Sequence, residues 1–243
     1  MEDSLFIVIP AYNESENIRK TVADWYQVIE ARGGSGRSRL VVVDDGSTDD
    51  TEQILREMKT HYPLMSVQRK PNGGHGSAVI YGYRYALKQK ADYIFQTDSD
   101  GQTDPSEFEM FWKRRERYDS LFGNRTKRGD GAARAAAERV LCAVLAVIFH
   151  IRIPDANAPF RLMKADYVRE YLSYFPADYN LPNVMLTALG VYAGRKVAFI
   201  PISFRPRQGG VNSVNLKKIT KIGIRALRDF RVIKKRFDGG AAK

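Results

Sequence analysis

The stretch RLVVVDDGSTDDTEQILREM, residues 39–58, decides how this chain folds. Leu40 to Val43 is an unbroken apolar run, the right length for a strand buried on both faces. Asp44-Asp45-Gly46 ends it with turn chemistry. Ser47 or Asp49 then offers the N-cap of a helix. Strand, turn and helix follow one another directly, and the same scheme recurs on either side.

Upstream, Leu5 to Ile9 reads as a buried strand ended by Pro10. Asn13, with Glu16 three residues later, has the pattern of a capping box and predicts a helix to about Ala31. Downstream, Leu64 to Gln68 is a short strand, followed by the glycine-rich RKPNGGHGSA and a helix to about Gln89. Tyr93 to Thr97 is the next strand, and Pro105 opens another helix. Strands and helices alternating in this way predict an α/β fold: a Rossmann-like, mainly parallel sheet with helices on both faces. In such sheets ligands bind beyond the carboxyl ends of the strands. Pro10-Tyr12-Glu14, Asp44-Asp45 and Asp98-Asp100 all fall there, so three polar clusters converge on one rim. The second half is less regular. Ala132 to Phe149 reads as a helix, Phe160 to Met163 as strand-like and Arg195 to Phe204 as a strand, with no repeat or linker to announce a second domain.

Within TDSDGQTDP, residues 97–105, Asp98 and Asp100 are two apart and on an extended segment would face the same side. Their charges repel unless a cation lies between them, and Mg²⁺ or Mn²⁺ accepts such oxygen ligands. A solvated polar turn is the plainer alternative. Asp104 has the place of a helix cap, with Pro105 at the first helical position and Glu107 two further on. Asp44 or Asp45 could accept hydrogen bonds from a base or ribose, or could simply close an Asx-turn. The glycines of PNGGHGSA would let backbone amides approach phosphate, although a plain turn accounts for them equally. Val79 stands where a dinucleotide fingerprint needs its last glycine. His61, His75 and His150 have no metal-ligand spacing, and Cys142 lies in an apolar helix as an inert thiol.

In order and spacing, VIPAYNESENI, VVVDDGSTDDT, NGGHGSAVIYG and TDSDGQTDP resemble the motifs of family 2 glycosyltransferases with the GT-A fold. GNR (Gly123 to Arg125), DANAPFR (Asp155 to Arg161) and FRPRQGGVNS (Phe204 to Ser213) occupy the places of later motifs in the polyprenyl- and dolichyl-phosphate sugar synthases. The resemblance implies an inverting, metal-dependent enzyme that moves a sugar from a GDP- or UDP-linked donor to a polyprenyl phosphate. It puts Pro10, Ala11, Tyr12, Glu14 and Asp44 around the base and ribose, with Asp45 nearby. Asp98 would reach the nucleotide, Asp100 and Gln102 the metal, and Arg125, Arg161 and Arg207 the phosphates. A departing nucleoside diphosphate needs such cations for its growing charge.

Two departures from that subgroup fall in the acceptor-side half: Ala158-Pro159 replaces Ser-Gly, and Ser213-Val214 replaces Ser-Lys. Asp155 stays open. It would be the general base for a hydroxyl acceptor, as in polysaccharide or glycolipid synthesis. A phosphate acceptor needs no base, and Asp155 would then orient an arginine or the sugar. It could also be a buried Asp that pairs with Arg161 or caps a turn.

Charge is distributed unevenly. Of a net +11, most belongs to Leu216–Phe237, where nine basic residues meet Asp229 alone. Ile219, Ile222, Ala226, Phe230, Ile233 and Phe237 recur there at helical steps. The expectation is a transferase domain over 1–213 and a basic amphipathic helix and tail over 214–243. That helix would rest on an anionic membrane surface through 216–237, or else pack on its own domain with a solvated basic face. Nucleic acid is not expected as a partner, because no binding module or aromatic interleaving accompanies the charge. A homo-oligomer stays open. The acidic N-terminus has no signal-peptide pattern, and Val140 to Phe149 is about half the ~20 residues of a membrane span. With a single cysteine, the expected location is cytoplasmic, peripheral on the inner membrane face.

Overall fold

The computed structural model describes residues 3–32, 36–128, 131–206 and 216–240, with the backbone alone for 127–128, 132–133 and 216–225. Strands β1 (Leu5–Ala11), β2 (Arg39–Asp44), β3 (Met65–Arg69) and β4 (Tyr93–Thr97) alternate with helices α1 (Ile18–Glu30), α2 (Thr51–Lys59) and α3 (His75–Lys88). A short helix α4 (Phe108–Trp112) follows, then β5 (Ser120–Arg128), α5 (Ala132–Phe149) and β6 (Phe160–Lys164). Helices α6 (Ala165–Leu172) and α7 (Pro182–Tyr192), strand β7 (Val197–Phe204) and helix α8 (Leu216–Gly240) complete the chain. The seven strands form one sheet in the order β3-β2-β1-β4-β6-β5-β7. Every pairing is parallel except those of β6, which runs antiparallel to both β4 and β5.

Strand residues alternate between two cores. Phe6, Val8, Val41, Val43 and Ile94 face α3 and the helices of the second half. Leu5, Ile7, Ile9, Leu40, Val42 and Phe95 face α1, α2 and α4. Burial on both sides is what the continuous apolar runs require, and each such side chain contributes about 1.5–3 kcal/mol. Gly82 lets α3 settle onto β1, since a Cβ there would come within 2.3 Å of Val8 Cγ1.

Three local expectations change. Helix α1 begins at Ile18 rather than beside Asn13. Asn13 takes a positive φ of 53°, and its side-chain oxygen accepts the Thr48 amide at 2.8 Å. The capping-box residue therefore ties the β1 turn to the β2 turn. Second, of the two cap candidates for α2 only Asp49 serves: Asp50 holds the N-cap position without a side-chain cap bond, Asp49 accepts from the Thr51 amide at 3.0 Å, and Ser47 serves Asp44 instead. Third, α8 does not present its whole apolar stripe outward. Ala226, Phe230 and Ile233 are buried in the core, and Phe237 packs on Tyr171, Tyr174 and Tyr192. This is the helix-on-domain arrangement for residues 226–237. The side chains of Ile219 and Ile222 lie outside the described residues, as does the boundary at 213–214.

Candidate active site

The parallel register brings the three motif-bearing strand ends together. Ala11 lies opposite Asp44, and the Asp45 amide donates to the Ala11 carbonyl at 2.9 Å. Gly46, at φ 72°, turns the chain so tightly that a Cβ would meet the Asn72 amide nitrogen at 2.9 Å. Asp44 is fully buried. Its Oδ1 accepts from the Ser47 amide at 3.0 Å and the Ser47 hydroxyl at 2.5 Å. Its Oδ2 has no hydrogen-bond donor among the described residues, and the nearest cation is Arg69 Nε at 3.6 Å. An unsatisfied buried acceptor costs about 1–3 kcal/mol; Oδ2 has no surface open to solvent, so a ligand N–H or O–H would reach it only with a shift of the rim.

Asp45 is engaged otherwise. Its carboxylate pairs with Lys70 and accepts the amides of Gly73 at 3.1 Å and Gly74 at 2.7 Å. The glycine-rich loop thus turns these amides onto a protein carboxylate. Pro10 and Ala11 are buried backbone of the rim, whereas Tyr12 stands 46% exposed beside it. Glu14 anchors the entry to α1: its side chain accepts from Asn17 Nδ2 at 2.8 Å, and its amide donates to Thr51 Oγ1 at 2.8 Å.

Strand β4 ends at Thr97, so Asp98 to Gln102 form a turn rather than continuing the strand's alternation. Asp98 remains partly exposed, and its Oδ1 accepts Gln96 Nε2 at 2.9 Å. Behind it runs a buried chain of donors. Tyr83 Oη donates to Asn183 Oδ1 at 3.2 Å, and Asn183 Nδ2 donates to Gln96 Oε1 at 3.0 Å. Burial keeps the Tyr83 phenol protonated by pushing its pKa up. Every donor in the chain therefore points toward Asp98. Asp100 is buried in the turn, its Oδ1 3.2 Å from the Gln102 amide. Gln102 donates its side-chain nitrogen to the Arg205 carbonyl at 2.7 Å, which leaves Oε1 as the oxygen it can present. Asp104 caps the following turn as expected, accepting from the Ser106 amide at 3.0 Å, and pairs with Arg205.

The arginines of the later motifs are drawn inward. Arg125 forms a two-pronged pair with Asp155, Nε to Oδ2 at 2.7 Å and Nη2 to Oδ1 at 2.8 Å. Glu138 on α5 approaches the same guanidinium at 3.3 Å and accepts the Ala156 amide at 2.8 Å. Burial opposes ionisation of Asp155, but the hydrogen bonds and charge of Arg125 outweigh it and hold that carboxyl below the usual range. Glu138 goes the other way: burial and the neighbouring Asp155 charge raise it, with Arg125 only partly offsetting them. Burial and Glu138 push the Cys142 thiol up to about 12. Asp155 therefore pairs with Arg125 rather than with Arg161. Arg161 is fully enclosed, its guanidinium 4.1 Å from the Phe122 ring. It donates to the Asn183 carbonyl at 2.9 Å, to the Thr187 hydroxyl and more weakly to the carbonyls of Ala156 and Ala158. Arg161, like Asp44, has no exposed surface, and its Nε has no hydrogen-bond partner among the described residues. Arg207 lies outside the described residues.

Comparison with known proteins assigns this arrangement. The profile described as Glycosyl transferase family 2 matches residues 6–172, from β1 through α6. The chain belongs to that family. Among its relatives, an undecaprenyl-phosphate mannosyltransferase of Micrococcus luteus is 24% identical over 233 residues, covering 90% of this chain and 93% of the relative. An undecaprenyl-phosphate 4-deoxy-4-formamido-L-arabinose transferase of Edwardsiella ictaluri is 24% identical over 220 residues, 89% of this chain and 64% of the relative. The names match the subgroup that the later motifs resemble. Glucosyl-3-phosphoglycerate synthase from Mycobacterium tuberculosis, solved with Mn²⁺, uridine diphosphate and phosphoglyceric acid, shares the fold. Its TM-score is 0.67 at 16% identity, over 94% of this chain and 78% of that one.

For a family 2 member, the donor set at the β4 turn fits a hard divalent cation. Asp98, Asp100 and Gln102 offer oxygen, and Mg²⁺ or Mn²⁺ takes one or two carboxylates and completes its shell with phosphate and water. Among the described residues no three His, Cys, Asp or Glu side chains form a complete metal cluster. Gln96, Asn183 and Glu138 are absent from the sequence-based expectations. Gln96 in the apolar run YIFQT carried a signal, since a buried amide needs partners. Asn183 and Glu138 carried none, because their partners are remote in sequence.

Proposed function

We propose that this family 2 glycosyltransferase takes a sugar from a nucleoside diphosphate and passes it, with inversion, to a polyprenyl phosphate. The half-satisfied Asp44 carboxylate on the shared rim carries the donor half of this reading. A base or ribose donor would complete Oδ2, while Tyr12, Pro10 and Ala11 form the adjoining wall. Asp100, with Gln102, would hold Mg²⁺ or Mn²⁺ against the diphosphate, with Asp98 reaching the nucleotide side, and the cation would neutralise charge on the leaving group. Mn²⁺ and uridine diphosphate in the structural neighbour support that chemistry.

The acceptor half rests on Asp155. A hydroxyl nucleophile needs a general base with a free lone pair and a pKa near the working pH. Asp155 has both oxygens on Arg125 and is held below the usual carboxylate range. A phosphate acceptor is already an anion and needs no such base. The undecaprenyl-phosphate relatives support the same acceptor class. Polyprenyl phosphates are membrane lipids, so the enzyme would work at the cytoplasmic face of the membrane, where nucleotide sugars are present.

The test is a transfer assay with UDP- and GDP-sugars, Mn²⁺, and either undecaprenyl phosphate or undecaprenol in detergent. Label should enter the organic phase only with the phosphate, in an acid-labile linkage. Transfer to the alcohol or to a glycan hydroxyl, with none to the phosphate, would overturn the acceptor assignment.

A further inference from the structure

From Val140 to Phe149 helix α5 is apolar on both sides, although the fold covers only one; Arg139, just before that stretch, is exposed. Glu138, Leu145 and Phe149 point inward. Directly opposite, at steps of four, three and four, Ala136, Val140, Ala143 and Val147 are exposed. Val140 is 65% exposed and Val147 74%. A helix that is apolar all round is ordinarily buried all round. The neighbouring α8 supplies a second element of the same surface. Its inward residues Ala226, Phe230 and Ile233 have Arg228, Arg231, Val232 and Lys235 on the opposite side, all exposed. The two helices meet along a groove of about 420 Å³ in which Val147 and Ile148 adjoin Arg231, Lys234, Lys235 and Asp238, with Lys234 paired to Asp238 at 2.7 Å, so that Arg231 and Lys235 carry its net positive charge. Among the described residues no helix is long and apolar enough to cross a membrane.

We infer that the outer stripe of α5, flanked by the outer basic face of α8, is the surface by which this protein docks on an anionic lipid bilayer. Aliphatic side chains with cations beside them match the acyl–headgroup boundary, which offers hydrocarbon below and phosphate above. A polyanion such as nucleic acid would satisfy the cations but leave the valines in water. Each Lys or Arg at an anionic surface strengthens partition by roughly fivefold, so the basic face selects anionic over neutral lipid. The inference rests on the membrane location proposed above but relocates the inserting residues. The α8 stripe read from sequence is occupied by the protein's own core from Ala226 onward, and α5 supplies the apolar contact.

Flotation of the full chain with phosphatidylcholine vesicles, with and without 30% phosphatidylglycerol (roughly physiological anionic charge), tests it without any sugar substrate. Wild type should float with the anionic vesicles. The double variant Val140→Asp/Val147→Asp should lose at least tenfold in partition, with an unchanged melting temperature because both side chains are exposed. Arg231→Glu/Lys235→Glu should lose the preference for anionic lipid. A single Val147→Trp should show a blue-shifted emission on vesicles. Unchanged flotation of the double aspartate variant, with wild type bound, would overturn the docking face while leaving the location intact. Failure of wild type to bind any vesicle would overturn both. A wild-type dimer in sedimentation that the aspartates dissociate, with vesicle binding preserved, would make the stripe an interface between copies and also overturn the inference.

Discussion

The rim formed by β1, β2 and β4 and the cluster around Arg125 are built from similar residues to opposite effect. On the rim, Asp44 keeps one oxygen without a hydrogen bond, and Asp98 is partly exposed. Around Arg125, two carboxylates and a guanidinium satisfy one another, while Arg161 beside them is held by carbonyls and a phenyl ring with its Nε left without a partner among the described residues. Breaking a buried pair is costly, so the Arg125–Asp155 pair resembles a finished salt bridge, whereas the Asp44 carboxylate is only half satisfied. A motif in sequence does not distinguish a closed pair such as Arg125–Asp155 from a half-satisfied carboxylate such as Asp44; the hydrogen bonds of those two carboxylates do.

The largest expected effect lies on the rim. Asp100→Ala should abolish Mn²⁺-dependent binding of uridine or guanosine diphosphate, a loss of more than about 100-fold in calorimetry, since the cation would lose a carboxylate ligand. Equal affinity with and without the carboxylate would remove the metal from the rim. Next comes the saturated cluster. Asp155→Asn leaves Arg125 with Glu138 as its carboxylate neighbour among the described residues, and breaking a buried pair costs about 3–5 kcal/mol. For a chain of this size the melting temperature should fall on the order of 10 °C. A change within a degree or two would show that the cluster is not closed as described.

Asn183→Asp sharpens the contrast by reversing one donor behind Asp98. At neutral pH the introduced carboxylate, once ionised, cannot donate to Gln96, and nucleotide affinity should fall by about tenfold, the scale of one charge-assisted hydrogen bond. Protonation restores a donor, so affinity should recover as pH drops; a merely structural role would give the same deficit at every pH. The smallest effect concerns Glu138. Its folded-state pKa is raised, so its contribution to stability is fully present below the unfolded value and is lost as pH rises through the folded one. Asp155, held low, contributes above its unfolded value and loses that contribution as pH falls through the folded one. Glu138→Gln mimics the protonated form, and urea unfolding at mildly acidic and alkaline pH should show a flatter profile than wild type. An identical profile would mean that Glu138 does not titrate against the cluster.

Much of the first half was legible because its signals are local. Continuous apolar strands, Asp-Gly turns and the Asp104 cap need no knowledge of distant residues, and β1, β2, β4 and the rim follow from them. The Asn13 error shows the limit: its capping pattern is real, but a cross-turn bond to Thr48 competes for the same side chain. The second half was less legible for a different reason. Helix α7 buries every residue from Pro182 to Gly190, so it has no polar face and no helical periodicity to detect. The Arg125 cluster joins β5, α5 and the loop before β6, and nothing in sequence spacing brings those three together.

Helix α5 also has a consequence for mutational tolerance. One side holds Glu138 against Arg125 and the Ala156 amide, and the other carries Val140 and Val147 in the open. In a helix with one wet face, tolerance of polar substitutions rises and falls with a period near 3.6 residues. Scored by folding, α5 should show that oscillation, with Val140 and Val147 at its peaks. Scored by lipid-linked product formed on vesicles, the peaks should flatten, because residues indifferent to folding would be needed for location. The gap between the two profiles would measure, residue by residue, how much of this helix is selected for reasons other than stability.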